Sequence, residues 1–159
     1  MKRSADPIAQ LMEEHDDALL QLKHLNAAVN AIGRDGYSAV HFRSIERALR
    51  FIEEEVSVHN RKEEEALFPV LERFVEGPTR VMRRDHKLLK VGFRKLRVAV
   101  RNLDASRDSF SANRRLLEIS RSVVHLFVNH IHKENHILFP LVQRFLGKDE
   151  LREIARKML

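Results

Sequence analysis

Four long stretches of this chain repeat apolar residues at three- and four-residue steps, the pattern of helices that each bury one face. In the first, Ile8, Leu11, His15, Ala18, Leu22, Leu25, Val29 and Ile32 share a stripe; Asp6 with Pro7 supplies a start, and Gly33 and Gly36 a break. The spacing predicts a helix from about Asp6 to Ile32. A second stripe leaves Ser38 and runs through Phe42, Ile45, Leu49, Ile52, Val56, His59, Glu63 and Ala66 without losing phase, to end around Glu76, Gly77 and Pro78. Thr79 offers a cap for a third helix bearing Met82, His86, Leu89, Phe93, Leu96, Val100 and Leu103. Beyond a loop from Asp104 to Ser111, a fourth carries Leu116, Ile119, Val123, Phe127, His130, Glu134, Ile137 and Leu141, with Gly147 as its stop and Asp149 capping a last helix. Four long helices with short connections predict an all-α, up-down-up-down four-helix bundle with a short C-terminal helix.

Four histidines and two glutamates interrupt those apolar stripes, and their arrangement is copied. His59-Asn60-Arg61-Lys62-Glu63 returns as His130-Ile131-His132-Lys133-Glu134, each followed by Leu-Phe-Pro, and His15 and His86 are separated by the same 71 residues. The chain therefore reads as one domain, 1–159, made of two helix pairs, about 6–76 and 79–146. A lone inward histidine is ordinarily a hydrogen-bonded core residue, and a lone His-x-x-x-Glu is ordinarily a surface ion pair. Here that spacing occurs only at these two places, both in phase with the core.

Residues four apart on a helix lie about 40° apart in projection and about 6 Å apart in rise, so each pair turns a nitrogen and a carboxylate toward one inward spot. His15 and His86 add a nitrogen from each of the other two helices. An ionised glutamate in an apolar core is costly unless paired or metal-bound, and Lys90 is the one candidate cation on these faces. Two divalent ions satisfy the set, bridged by carboxylates and held by imidazoles. That donor chemistry suits iron, then manganese, and zinc least.

Composition narrows the field further. With 0 Cys the chain itself offers no disulfide, thiolate metal site or iron–sulfur ligand, so any metal is held by nitrogen and oxygen. No apolar run approaches a membrane span and no signal core precedes Ile8, so a cytoplasmic protein without membrane contact is expected. The net charge of +6 is concentrated on the third helix, in Arg80, Arg83, Arg84, Lys87, Arg94, Lys95, Arg97 and Arg101. No aromatic residues are interleaved there and no groove-reading motif is visible, which argues against nucleic acid and leaves an acidic protein as the partner such a face would attract. His132 and His136 form a His-x-x-x-His pair about 200° from the ligand stripe, and with His24, His41 and His125 they are expected outside the core. Glu64 lies near enough to serve as a reserve ligand, while Phe68, Pro69, Phe139 and Pro140 are expected to pack the bundle end.

His15, His59-x-x-x-Glu63, His86 and His130-x-x-x-Glu134 on four helices, with Leu-Phe-Pro after each glutamate, resemble the hemerythrin or HHE cation-binding domain over about residues 8–145. Ferritin-like bundles use Glu-x-x-His instead, a spacing absent from this chain. The resemblance implies a carboxylate-bridged centre of two iron ions, with His15 and His59 on one, His86 and His130 on the other, and Glu63 and Glu134 bridging. It implies a small ligand, dioxygen, peroxide or nitric oxide, and a role in sensing or stress response, or in iron holding without turnover. Hemerythrins that carry oxygen have a further histidine one turn after the third-helix ligand and a five-residue His-to-Asp step in the last helix. This chain has Lys90 and a four-residue step to Glu134, which points away from oxygen transport; Lys90 is expected to face the pocket or to snorkel past Phe93. The iron–sulfur repair branch adds a cysteine-bearing amino-terminal module that this sequence lacks.

Overall fold

A computed structural model describes residues 5–159, and among these there is no strand. Helix α1 is Pro7–Asp35; Asp6 caps it, its side chain accepting from the Ile8 amide at 2.9 Å. Helix α2 runs over residues 39–71, α3 is Pro78–Ala105, α4 covers residues 110–145 and α5 is Lys148–Lys157. The all-α, up-down-up-down bundle with a short last helix is the observed architecture. α1 packs against α2 and α4, and α3 against α4. No helix among the described residues is long and apolar enough to cross a membrane.

Several helix ends and one core stripe differ from the sequence reading. α2 stops at Leu71, well before Glu76. α3 is not capped by Thr79, which is buried inside it; the fixed φ of Pro78 suits the first helical position, and Gly77 turns the chain into it with φ +107. α5 starts after Gly147 rather than at Asp149, and the Glu150 carboxylate accepts from the Gly147 amide at 3.1 Å. α2 and α4 also each contain a wide π-turn beginning at the predicted glutamate, Glu63–Leu67 and Glu134–Leu138. The Phe68 amide reaches back five residues to the Glu63 carbonyl, and Phe139 does the same to Glu134. The next residue in each case, Pro69 or Pro140, has no amide to give and a ring that crowds the carbonyl four back, so the wider turn absorbs the misfit. The turn slips the phase by one residue. Leu138 and Val142 are therefore buried, whereas Ile137, expected in the core, is 54% exposed.

The core is divided. One apolar cluster joins α1 from Ala18 onward to Ile45, Leu49 and Val56 of α2, Leu89 to Leu103 of α3 and Leu116 to Ile131 of α4. The other joins Ile8 and Leu11 to Ala66, Phe68, Leu71, Met82, Phe139, Val142 and Ile154, and α5 closes that end, tied to the turn after α2 by a two-pronged Arg73–Glu153 ion pair at 3.0 and 2.6 Å. Between the clusters lies a polar layer: His15, His59, Glu63, His86, His130 and Glu134, all buried.

Candidate metal centre

Each of the four long helices crosses the polar layer once. α1 presents His15 between Leu11 and Ala18, α2 His59 and Glu63 between Val56 and Ala66, α3 His86 between Met82 and Leu89, and α4 His130 and Glu134 between Phe127 and Leu138. Their donor atoms form two overlapping groups, His15, His59, Glu63 and Glu134, and Glu63, His86, His130 and Glu134, each within 4.8 Å internally. Both carboxylates belong to both groups. His15 Nε2 lies 2.9 Å from Glu134 Oε1, His59 Nε2 3.1 Å from Glu63 Oε1, His130 Nε2 3.3 Å from Glu134 Oε1 and His86 Nε2 3.5 Å from Glu63 Oε1.

These approaches are close but mostly badly aligned. Nε2 of His59, His86 and His130, both Glu63 oxygens and Glu134 Oε2 are buried with no hydrogen-bond partner. Orphaned buried polar atoms each carry a desolvation penalty of about 1–3 kcal/mol, so a concentration of them at one point marks a place shaped for something else. Imidazole nitrogen and carboxylate oxygen with no thiolate are donors for divalent metal ions, and the residues of these buried clusters fit metal binding.

The outward ring nitrogens are all engaged. Nδ1 of His59 donates to Glu14 at 2.9 Å, of His86 to Glu64 at 2.8 Å, of His130 to Asp85 at 3.1 Å and of His15 to the Asn135 side-chain carbonyl at 2.7 Å. This fixes the proton on Nδ1 and leaves Nε2 to face the layer. Lys62 donates to Glu14 at 2.8 Å and Lys133 pairs with Asp85. Sequence reasoning missed Glu14, Asp85 and Asn135 and cast Glu64 as a reserve ligand. The signal was present: each adjoins a predicted donor, and Glu14 and Asp85, Glu64 and Asn135, Lys62 and Lys133 obey the same 71-residue offset.

Carboxylates and imidazoles act on one another within the layer. Burial works against the charge of His59, but the charge of Glu63, the bond to Glu14 and the charge of Glu134 raise its pKa to about 10. Burial likewise opposes the charge of His86 and His130, and the adjacent Glu63 and Glu134 carboxylates raise both. Burial would push the Glu63 carboxyl up, yet His59 holds it well below the ordinary carboxylate range. Glu14, partly buried but held by His59 and Lys62, falls to about 2.

Phe139 stacks on His15 with ring centroids 5.5 Å apart, and Phe68 on His86 at 5.7 Å, so the residues expected at the bundle end also wall the layer. A groove of about 670 Å³ between α2 and α3 reaches His86; its floor includes Ile52 and Phe93, and Arg61, Lys87, Lys90 and Arg94 line it. Lys90 is exposed there, in the snorkelling arrangement and outside both donor groups, because Leu89 takes the inward position one turn from His86. His132 and His136 stack on each other at the surface, His24 and His125 are exposed, and His41 is half-buried away from the layer.

Over 141 residues the chain is 26% identical to the iron-sulfur cluster repair protein YtfE of Musicola paradisiaca (strain Ech703), covering 86% of this chain and 63% of that protein. The chain thus spans less than two thirds of the length of this relative. Residues 6–142 match the hemerythrin HHE cation binding domain as a family. By that match over most of its length, and on the helical bundle described above, the chain belongs to the hemerythrin HHE cation-binding domain family.

Proposed function

We propose that this chain forms a cytoplasmic, non-haem di-iron domain that binds or reacts with dioxygen, peroxide or nitric oxide, in sensing or in oxidative and nitrosative stress response. The observation that carries the reading is the pair of overlapping donor groups that share both carboxylates and leave most of their inward atoms without hydrogen bonds. His15 and His59 would hold one ion, His86 and His130 the other, and Glu63 and Glu134 both. Iron bound there would supply one-electron redox chemistry at each ion and coordination positions for a small ligand. The protein's own contribution is orientation and exclusion: Glu14, Glu64, Asp85 and Asn135 aim the imidazoles, Phe68 and Phe139 keep bulk water out, and the groove beside His86 admits a small ligand. The likeness to a protein named for iron–sulfur cluster repair favours a role tied to iron. The unpaired cations of α3 beside the groove are offered to an acidic protein partner, whose binding would weaken steeply with salt.

A second reading, iron holding without redox turnover, is favoured by the enclosure of the donors, since both glutamates are 0% exposed. Anaerobic loading with ferrous iron followed by metal analysis tests the shared part: two irons per chain are expected, and a chain that stays metal-free in excess iron overturns both readings. Titration of the loaded protein with peroxide, oxygen or nitric oxide separates them, turnover or a stoichiometric adduct supporting the first and the absence of any reaction the second.

A further inference from the structure

The outer hydrogen bonds follow the internal repeat in geometry but not in charge. Glu14 and Asp85 are equivalent carboxylates, each accepting from a histidine of its own helix pair and each neutralised by an equivalent lysine, Lys62 or Lys133. Their contributions to the two donor groups cancel in a comparison. The other equivalent pair does not match: Glu64 accepts from His86 at 2.8 Å, whereas Asn135 accepts from His15 at 2.7 Å. Among the hydrogen-bonded outer partners, the His86–His130 group is therefore backed by one more negative charge than the His15–His59 group, while the inward donors of the two groups are alike and their carboxylates are common property.

An imidazole whose outer N–H is held by a carboxylate is a more basic ligand than one held by a neutral amide, and such outer partners typically change metal affinity about 10–100-fold. The side chain of Glu64 is 39% exposed, so water screens part of its charge, which places the effect at the lower end of that range. From this asymmetry we infer that the two metal positions are unequal: the position at His86 and His130 fills first and holds its ion more tightly, and Glu64 and Asn135 are the positioning residues that set the difference. The position at His15 and His59 is the one that empties and refills. This inference rests on the proposed metal centre.

The test is a titration of the metal-free full chain with cobalt(II), followed through the NMR signals of the histidine rings and by stepwise dissociation constants, in wild type, Asn135→Asp, Glu64→Gln and the two combined. Helix content and melting temperature confirm that each variant is folded. In wild type the first equivalent is expected to perturb His86 and His130 and the second His15 and His59, with dissociation constants separated about tenfold or more. Asn135→Asp should bring the two constants together by tightening the weaker one. Glu64→Gln should also bring them together, by weakening the tighter one. The combined variant should reverse the filling order, a result that a merely structural role for either residue does not produce. Equal constants in wild type, or a filling order untouched by the exchange, would overturn the inference and leave the metal centre standing. A wild-type chain that takes up no cobalt or iron overturns the centre itself, and the inference with it.

Discussion

Glu63 has no exposed surface, and its carboxylate stands 3.1 Å from the Nε2 of His59. In the metal-free chain that imidazole carries the compensating proton. Removing one member of a buried charge pair leaves the other uncompensated, so Glu63→Ala is expected to destabilise the metal-free fold by about 3–5 kcal/mol. Replacing all six donors by apolar residues of similar volume removes both signs together; it should be neutral or stabilising by about 1–4 kcal/mol while abolishing metal binding. Urea denaturation of the two variants checks both numbers, and a large loss from the six-fold replacement would mark these residues as structural hydrogen-bonders. His59 supplies a pH signature. Its pKa rises from an ordinary 6.5 to about 10, so its contribution to metal-free stability is complete below about pH 6.5 and is lost as pH climbs toward 10. A bound metal must displace that proton, so affinity should strengthen across the same window while metal-free stability weakens. Denaturation and competition titrations at both ends of the window should slope in opposite directions, and His59→Ala should flatten both.

At the scale of the element, the wide turns at Glu63 and Glu134 hold the register of the donors against the apolar end of the bundle. Pro140→Ala restores an amide that can bond to the carbonyl four residues back, at a site where proline costs a helix about 3 kcal/mol. The variant is expected to melt no lower than wild type yet bind metal more weakly, because a tightened turn rotates Glu134 relative to Leu138 and Val142. A metal titration beside a melting curve tests this, and unchanged affinity would mean that the π-turn has no part in placing Glu134. The helices themselves were legible in the sequence because an apolar stripe sustained over about six or seven turns has few other solutions. Their ends were less so: Gly77 with Pro78, and Gly147 with Glu150, start helices by a positive φ and a reaching carboxylate, not by the polar cap the sequence suggested. Ile137 was misplaced because a constant period cannot register an extra residue in a turn. The six inward donors could be picked out because they break an apolar stripe twice in the same way. Their outer partners shared the same offset but not the stripe: a neighbour one position along a helix points about 100° away, and only packing decides whether another helix's imidazole is waiting there, as His59 is for Glu14.

At the scale of the molecule, the polar layer separates two apolar clusters, and each of the four long helices passes through it. The helix pairs on either side of residues 72–77 each bring half of the layer, one histidine and one His-x-x-x-Glu. A chain cut there should yield two fragments, 1–76 and 77–159, that associate weakly without metal and firmly with it, since neither holds a complete donor group. Analytical ultracentrifugation of the mixed fragments with and without cobalt would show this, and tight association in the absence of any metal would mean that apolar packing alone joins the halves. The 71-residue repeat then has a geometric consequence. The offset pairs Glu14 with Asp85, Lys62 with Lys133 and Glu64 with Asn135, and the hydrogen bonds that Glu14, Asp85, Glu64 and Asn135 accept from the histidines repeat in the same pairs, the relation of a two-fold exchange. The protein is, in effect, a two-fold dimer of helical hairpins written on a single chain. A true homodimer must keep both halves of its centre identical; fusion releases that constraint, and among the side chains that accept from the four histidines it is at Asn135, opposite Glu64, that the two halves differ in charge.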